Sequence, residues 1–170
     1  GPDSDEGKRS IAPWLKAKGI GRIDTLVLSH ADMDHVGGTR SVLQAVPVSR
    51  SYSSFDLDAH LNREERLLGL ATGSTTRPAP ALRCEQDVYW EVDGVRFRFW
   101  WPPADEASFK AVYGREEDKN AISCVLEVQG TRHSALLLGD AGVAQEQAIV
   151  AAGLGPIDVV VVGHHGSRTS

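Results

Sequence analysis

Three apolar runs in this 170-residue chain break off into side chains that bind metals. Residues 23–29 run into His30, residues 136–138 into Gly139-Asp140, and residues 159–162 into Gly163-His164-His165. Short apolar runs bounded by polar turns read as buried strands. Helical segments lie between them, and strands alternating with helices dictate an α/β architecture. In open sheets of that kind, ligands collect where the carboxyl ends of strands meet loops. Strand ends that all carry ligand chemistry can therefore meet in one place.

The remaining pattern fits that frame. Residues 11–18 read as a short helix with Ile11, Trp14 and Leu15 on one face, stopped by Gly19. Gly37-Gly38 are expected to lead into a helix reaching about Ala45, which Pro47 ends, with a strand over residues 46–52 and a helix over residues 58–70. The stretch "ATGSTTRPAP", residues 71–80, reads as a mobile surface loop inside one domain. "DVYWEV" and "VRFRFWW" flank Asp93-Gly94, a strong signal for a two-residue hairpin turn. In its second arm Val95, Phe97 and Phe99 alternate with Arg96 and Arg98, so one face is buried and one is wet. Trp90, Trp100 and Trp101 are read as hairpin core rather than as base-stacking platforms. Residues 104–118 are a polar loop with a short helix. Strands are expected over 120–128, 134–138 and 157–162, with a helix over 143–152 that Gly153 caps.

Charge and composition exclude some functions. Lys plus Arg number 18 against 23 Asp plus Glu, a net charge of -5, which argues against a strongly basic nucleic-acid binder. An enzyme that meets phosphate through bound cations stays open, because those ions are the largest charges in such a site. No apolar run reaches the roughly 18 residues of a membrane-spanning helix, and no signal peptide is visible. Cys84 and Cys124 are too few for a disulfide scaffold or a cysteine-rich zinc site, and each reads as a buried thiol, with a single bridge as the alternative.

The densest chemistry lies in "LVLSHADMDHVGG", residues 26–38. His30, Asp32, Asp34 and His35 offer imidazole nitrogen and carboxylate oxygen and no thiolate, a mixture that suits zinc, manganese or iron. In an extended or loop conformation the adjacent Asp34 and His35 point apart and can serve two ions. The paired glycines then let the backbone turn sharply behind them. Asp140 by itself reads as a helix N-cap; beside the first cluster it becomes a candidate bridging carboxylate.

"SHADMDHVGG" resembles the H-x-H-x-D-H signature of the metallo-β-lactamase superfamily, with Asp32 where the second histidine usually stands. The H-x-D-x-D-H variant, together with "LLLGD" and "VVVGHHGSRTS", is similar to the metallo-β-lactamase-like domain of the ComEC family, DNA-uptake channel proteins of naturally competent bacteria. The resemblance implies an αββα sandwich of the α/β (α+β) class, incomplete at both ends. It also implies one domain over residues 1–170 within a larger membrane protein. It places His30 and Asp32 on one ion, Asp34 and His35 mainly on a second, Asp140 as the bridge and His164 as the last-strand ligand. His165 is then placed for substrate phosphate or proton transfer, and the two histidines can exchange roles. A further histidine ligand found in many superfamily members has no match, since His60 falls in a surface helix and His133 in a turn. Asn120 and Ser123 stand in that region instead. Extra carboxylate shifts preference toward a harder ion, so the expected cofactor is Mn2+ or Zn2+, one or two ions.

The implied activity is phosphodiester hydrolysis, with Asp34, His35 and His165 as catalytic residues and Lys119, Asn120, Ser123, Ser167 and Arg168 meeting the substrate. The implied substrate is single-stranded DNA, the strand not taken up during natural transformation. The implied place is outside the cytoplasmic membrane, beside the channel and other domains of the parent protein. Two alternatives remain: a lactonase or esterase on the same scaffold, and a non-catalytic module that keeps metal for stability.

Overall fold

The computed structural model describes residues 12–29, 33–105, 123–139 and 141–162, without the side chains of residues 12 and 33–38. The chain divides into two compact units, Gly1–Arg83 and Cys84–Ser170.

The first unit is built on a parallel sheet of order β1-β2-β3, formed by β1 (Ile23–Leu28), β2 (Val48–Ser53) and β3 (Ala81–Arg83). Parallel neighbours need crossovers, and helices α2 (Met33–Ala45) and α3 (Leu57–Leu67) supply them. Leu43 of α2 and Leu57 and Leu61 of α3 bury against Leu26, Leu28, Val48 and Phe55. Helix α1 (Ala12–Ala17) adds Leu15 to a second cluster with Val42, Val46, Ile20 and Ile23. Trp14, expected beside Leu15 on the packed face, is instead 54% exposed. The six-residue helix is too short to present a wider buried stripe.

Two expectations in this unit are corrected. Helix α2 begins at Met33, so Gly37-Gly38 lie inside it and are not the turn before it. The loop of residues 71–80, expected to be mobile, is tied to a fully buried carboxylate. Glu65 accepts from Gly73 N (3.0 Å), Ser74 Oγ (3.2 Å), Thr75 N (2.7 Å) and both terminal nitrogens of Arg77 (2.9 Å each). Arg77 also donates to Asn62 Oδ1 (2.7 Å) and Thr75 O (2.6 Å). The Arg77 guanidinium, helped by the amides of Gly73 and Thr75, outweighs burial and holds the Glu65 carboxyl well below the usual carboxylate range.

The second unit carries a sheet of order β4-β5-β6-β7-β8. Strands β4 (Tyr89–Val92), β5 (Val95–Trp101), β6 (Val125–Gln129) and β7 (Ser134–Leu137) pair antiparallel, and β8 (Val159–Val161) joins β7 in parallel through helix α4 (Val143–Ala151). The β4–β5 hairpin turns on Asp93 and Gly94 as expected, at φ 50° and 81°. Positive φ at both central residues matches the strand twist, and Asp-Gly tolerates it. A bulge between Phe99 and Trp101 breaks the alternation, so Phe99, Trp100 and Trp101 are all buried in succession. Trp100 and Trp101 pack with Val125, Leu136, Leu138 and Ile149. Trp90 stacks on Phe97 at 5.1 Å.

Cys84 and Cys124, expected as thiols, form a disulfide with Cα atoms 5.8 Å apart. The segment after Cys84 is lashed to β5 by Gln86 N to Pro102 O (2.8 Å) and Asp87 N to Phe99 O (3.0 Å). Cys124 directly precedes β6, the other neighbour of β5. The sheet thus brings together two cysteines 40 positions apart.

Candidate metal centre

Each unit has a sheet edge at which strands end and candidate ligand residues follow in the sequence. In the first unit, Leu28, Ser53 and Arg83 stand in register at the carboxyl ends of the parallel strands. The chain leaves this edge through Ser29 toward the H-x-D-x-D-H segment. Asp34 and His35 are the second and third residues of α2. The pair, expected in an extended or loop stretch, thus lies in a helix, and its side chains lie outside the described residues.

The same edge holds a feature the sequence reading missed. Ser54 N donates to Leu28 O (3.3 Å), and Arg83 Nη2 donates to Ser54 O (2.6 Å). Ser53 Oγ donates to Phe55 O (2.6 Å). Ser54 is 1% exposed, yet its hydroxyl has no hydrogen-bond partner among the described residues. A cavity of about 250 Å³ opens nearby, lined in part by Ser53, Phe55, Leu82 and Arg83. Nothing in "SYSS" beyond its place after a strand sets these serines apart.

In the second unit, β7 and β8 run parallel with Leu137 opposite Val161, and Leu138 N donates to Val161 O (3.0 Å). Both strands therefore end at one edge. Asp140 follows Leu137, and His164 follows Val161, by three positions each. The N-cap of α4 is Gly142, whose amide donates to Gln145 Oε1 (2.5 Å). The N-cap position is therefore Gly142 rather than Asp140, which itself lies outside the described residues. Ser123 is fully buried, and its hydroxyl has no partner among the described residues.

The other positions singled out, His30, Asp32, Lys119, Asn120, Asp140, His164, His165, Ser167 and Arg168, lie outside the described residues. Among the described residues no group of three or more His, Cys, Asp or Glu can hold a metal ion. His60 packs on Phe55 at 5.1 Å, and His133 is a largely exposed partner of Asp158 at 3.8 Å. The imidazole and carboxylate donors that follow these strands in the sequence are of a type that suits a divalent ion.

These features define a class. The chain belongs to the metallo-beta-lactamase superfamily, whose pattern matches it over residues 1–170, and its mixed sheets and helices place it in the α+β class. Members of this superfamily typically bind divalent metals, usually zinc. Among individual relatives, it is 36% identical over 94% of its length to Recombination protein 2 of Haemophilus influenzae. It is 32% identical over 94% of its length to Competence protein ComA of Neisseria gonorrhoeae, and 30% identical over 96% to ComE operon protein 3 of Bacillus subtilis. The chain spans only 17%, 19% and 20% of those proteins. A solved structure of a CmlA beta-hydroxylase mutant aligns with 82% of this chain and 25% of its own, at a TM-score of 0.48 and 18% identity.

Proposed function

We propose that this chain is a metal-dependent phosphodiesterase, the nuclease domain of a DNA-uptake protein that degrades the strand not transported. One observation carries the reading: nearly the whole chain is similar to proteins named for competence and recombination. The ligand-type residues that follow three of its strands agree with it. His30 and Asp32 would hold one ion, Asp34 and His35 mainly a second, with Asp140 between them and His164 or His165 completing the set. Bound divalent cations, Mn2+ or Zn2+, lower the pKa of water and neutralise charge on phosphoryl oxygens. Asp34 orients the attacking water or accepts its proton, and His165 delivers a proton to the leaving oxygen. Lys119 and Arg168 hold phosphate oxygens, and Asn120, Ser123 and Ser167 position the strand.

Two further observations support the setting. A buried disulfide suits an oxidising compartment, in keeping with a place on the outer face of the cytoplasmic membrane. Among the described residues no helix is long and apolar enough to cross a membrane. In this reading the segment meets the channel as a neighbouring domain of the parent protein.

The test is cleavage of single-stranded DNA by the metal-reconstituted chain. Mn2+-dependent cutting is expected, with Asp34→Ala and His35→Ala each losing at least about a hundredfold, the scale of a lost acid–base group. Cleavage by both variants at the wild-type rate defeats the nuclease reading. Turnover of lactones or esters with DNA left intact favours the small-molecule alternative. Metal uptake with no turnover of either favours the structural module.

A further inference from the structure

We propose that the end of helix α3 and the turn after it, residues 63–70, form a tip that seats on an anionic lipid surface without crossing it.

Leu67, Leu68 and Leu70 are 66%, 57% and 37% exposed. The core of this unit does not use them, because α3 packs through Leu57 and Leu61. The tip is also rigid. Leu68 N donates to Glu64 O (3.0 Å), Gly69 N to Arg66 O (3.1 Å) and Leu70 N to Glu65 O (2.8 Å), with Gly69 at φ 71°. In this Schellman ending the apolar residue after the glycine commonly packs back on the helix five or six positions earlier. Those positions are Glu65 and Glu64, so the usual apolar contact is not on offer to Leu70. Further along, the chain is fastened again by Gly73 N and Thr75 N to the Glu65 carboxylate (3.0 and 2.7 Å). Main-chain bonds before and after the tip hold the leucines outward. Exposed apolar side chains gathered in this way mark a binding surface.

Charge selects the partner. Arg63 and Arg66 are exposed on the last two turns of α3. The nearest carboxylates do little to offset them outwardly. Glu65 is fully buried on Arg77, and one oxygen of Glu64 is buried too. Asp56 and Asp58 stand at the opposite end of the helix, about 15 Å or more from Leu68 by helix rise. Charges elsewhere in a chain of net charge -5 are screened beyond about 8 Å at physiological ionic strength. The tip is locally basic and apolar, the composition that suits anionic lipid.

Geometry favours lipid over a groove on a protein. A groove reads apolar residues three and four apart on one helix face. Leu67 and Leu68 are adjacent and diverge by about 100° around the axis, and Leu70 lies past the helix end. Apolar groups spread round a helix end suit end-on entry into a fluid layer. Arg63 and Arg66 lie about 3 to 8 Å behind Leu68 along the axis. That spacing matches headgroups above apolar side chains inserted by about 5–10 Å.

The experiment sediments the full chain with vesicles of phosphatidylglycerol and phosphatidylcholine in equal parts, or of phosphatidylcholine alone. Chelator is present, so the metal centre plays no part in the result. Wild type should bind the mixed vesicles, and the neutral ones at least about tenfold more weakly, since each arginine near an anionic surface contributes about fivefold. Arg63→Gln/Arg66→Gln should lose that preference. Leu67→Gln/Leu68→Gln should weaken binding to the mixed vesicles by at least about tenfold. Val143→Gln/Val150→Gln is the control. Both valines are exposed (68% and 65%) on α4, which carries Glu146 and no basic residue, and this variant should bind as wild type does. All three variants change exposed side chains, so their melting temperatures should stay at the wild-type value. Wild type that ignores the mixed vesicles, or binds both kinds equally, overturns the proposal. Equal loss in the leucine and valine variants also overturns it, because binding would then belong to exposed apolar surface in general.

Discussion

The unit Gly1–Arg83 is closed by charge, whereas the unit Cys84–Ser170 is closed by a covalent bond and aromatic packing. In the first, one buried carboxylate gathers a ten-residue loop through amides and a guanidinium. In the second, a disulfide joins the entry segment to the start of β6, and tryptophans fill the sheet face under α4. Equal compactness is reached by opposite means, so the two units should fail under different stresses. Reductant should attack only the second, and acid should weaken the first through Glu65.

The largest expected effect tests the covalent side. Replacing Cys84 and Cys124 by serine opens a loop of 40-residue separation, and chain-entropy estimates give a loss of about 4 kcal/mol. The urea midpoint should fall accordingly, and reduced wild type should fall with it. A loss below about 1 kcal/mol would show that the sheet already confines the two ends, since most of the entropic term would then be absent.

The charge side is tested next. Glu65→Gln leaves Arg77 facing a neutral amide in a part-buried pocket, and breaking such a pair should lower the melting temperature by roughly 8 °C at neutral pH. The pH response has a defined sign. The folded carboxyl titrates below its ordinary value of 4.5, so its contribution is complete above that pH and fades as pH drops through the acid range. Wild type should therefore lose stability below about pH 4.5 more steeply than Glu65→Gln. Parallel curves for the two proteins would assign the acid sensitivity to other carboxylates.

What could be read in advance follows from where each determinant lies. The β4–β5 hairpin is local: Asp93-Gly94 and the alternation of Val95, Phe97 and Phe99 carry it within a dozen residues. Candidate ligands could be named because His and Asp declare their chemistry by identity, and the strands that precede them are simple apolar runs. The disulfide was not, because proximity of Cys84 and Cys124 depends on how β5 pairs with β6. The pinned loop was hidden for a different reason. Glu65 is met by two main-chain amides, of Gly73 and Thr75, as well as by Ser74 and Arg77, and every residue but proline offers such an amide, so "ATGSTT" looks the same whether tied or free. Gly37-Gly38 misled because glycine usually marks a turn, yet a helix interior tolerates each at about 1 kcal/mol. Ser54 was passed over because a serine after a strand carries no signal until its burial, and its lack of a partner among the described residues, are known.

The smallest effect asks whether damage inside the second unit stays local. Gly153 ends α4 at φ +104°, with Gly153 N donating to Val150 O (3.1 Å) and Leu154 N to Ile149 O (3.3 Å). A Cβ there would meet nothing within 4 Å, so the penalty for alanine is backbone strain alone, about 1–2 kcal/mol. Ile149 and Leu154 both belong to the tryptophan core, so the cap fixes how α4 returns to the sheet. Gly153→Ala should shift the urea midpoint by that amount, leave disulfide formation complete by thiol titration, and leave the acid response of Glu65 untouched. A Gly153→Ala protein that also melts more steeply in acid would show that the charge-closed unit depends on the covalently closed one.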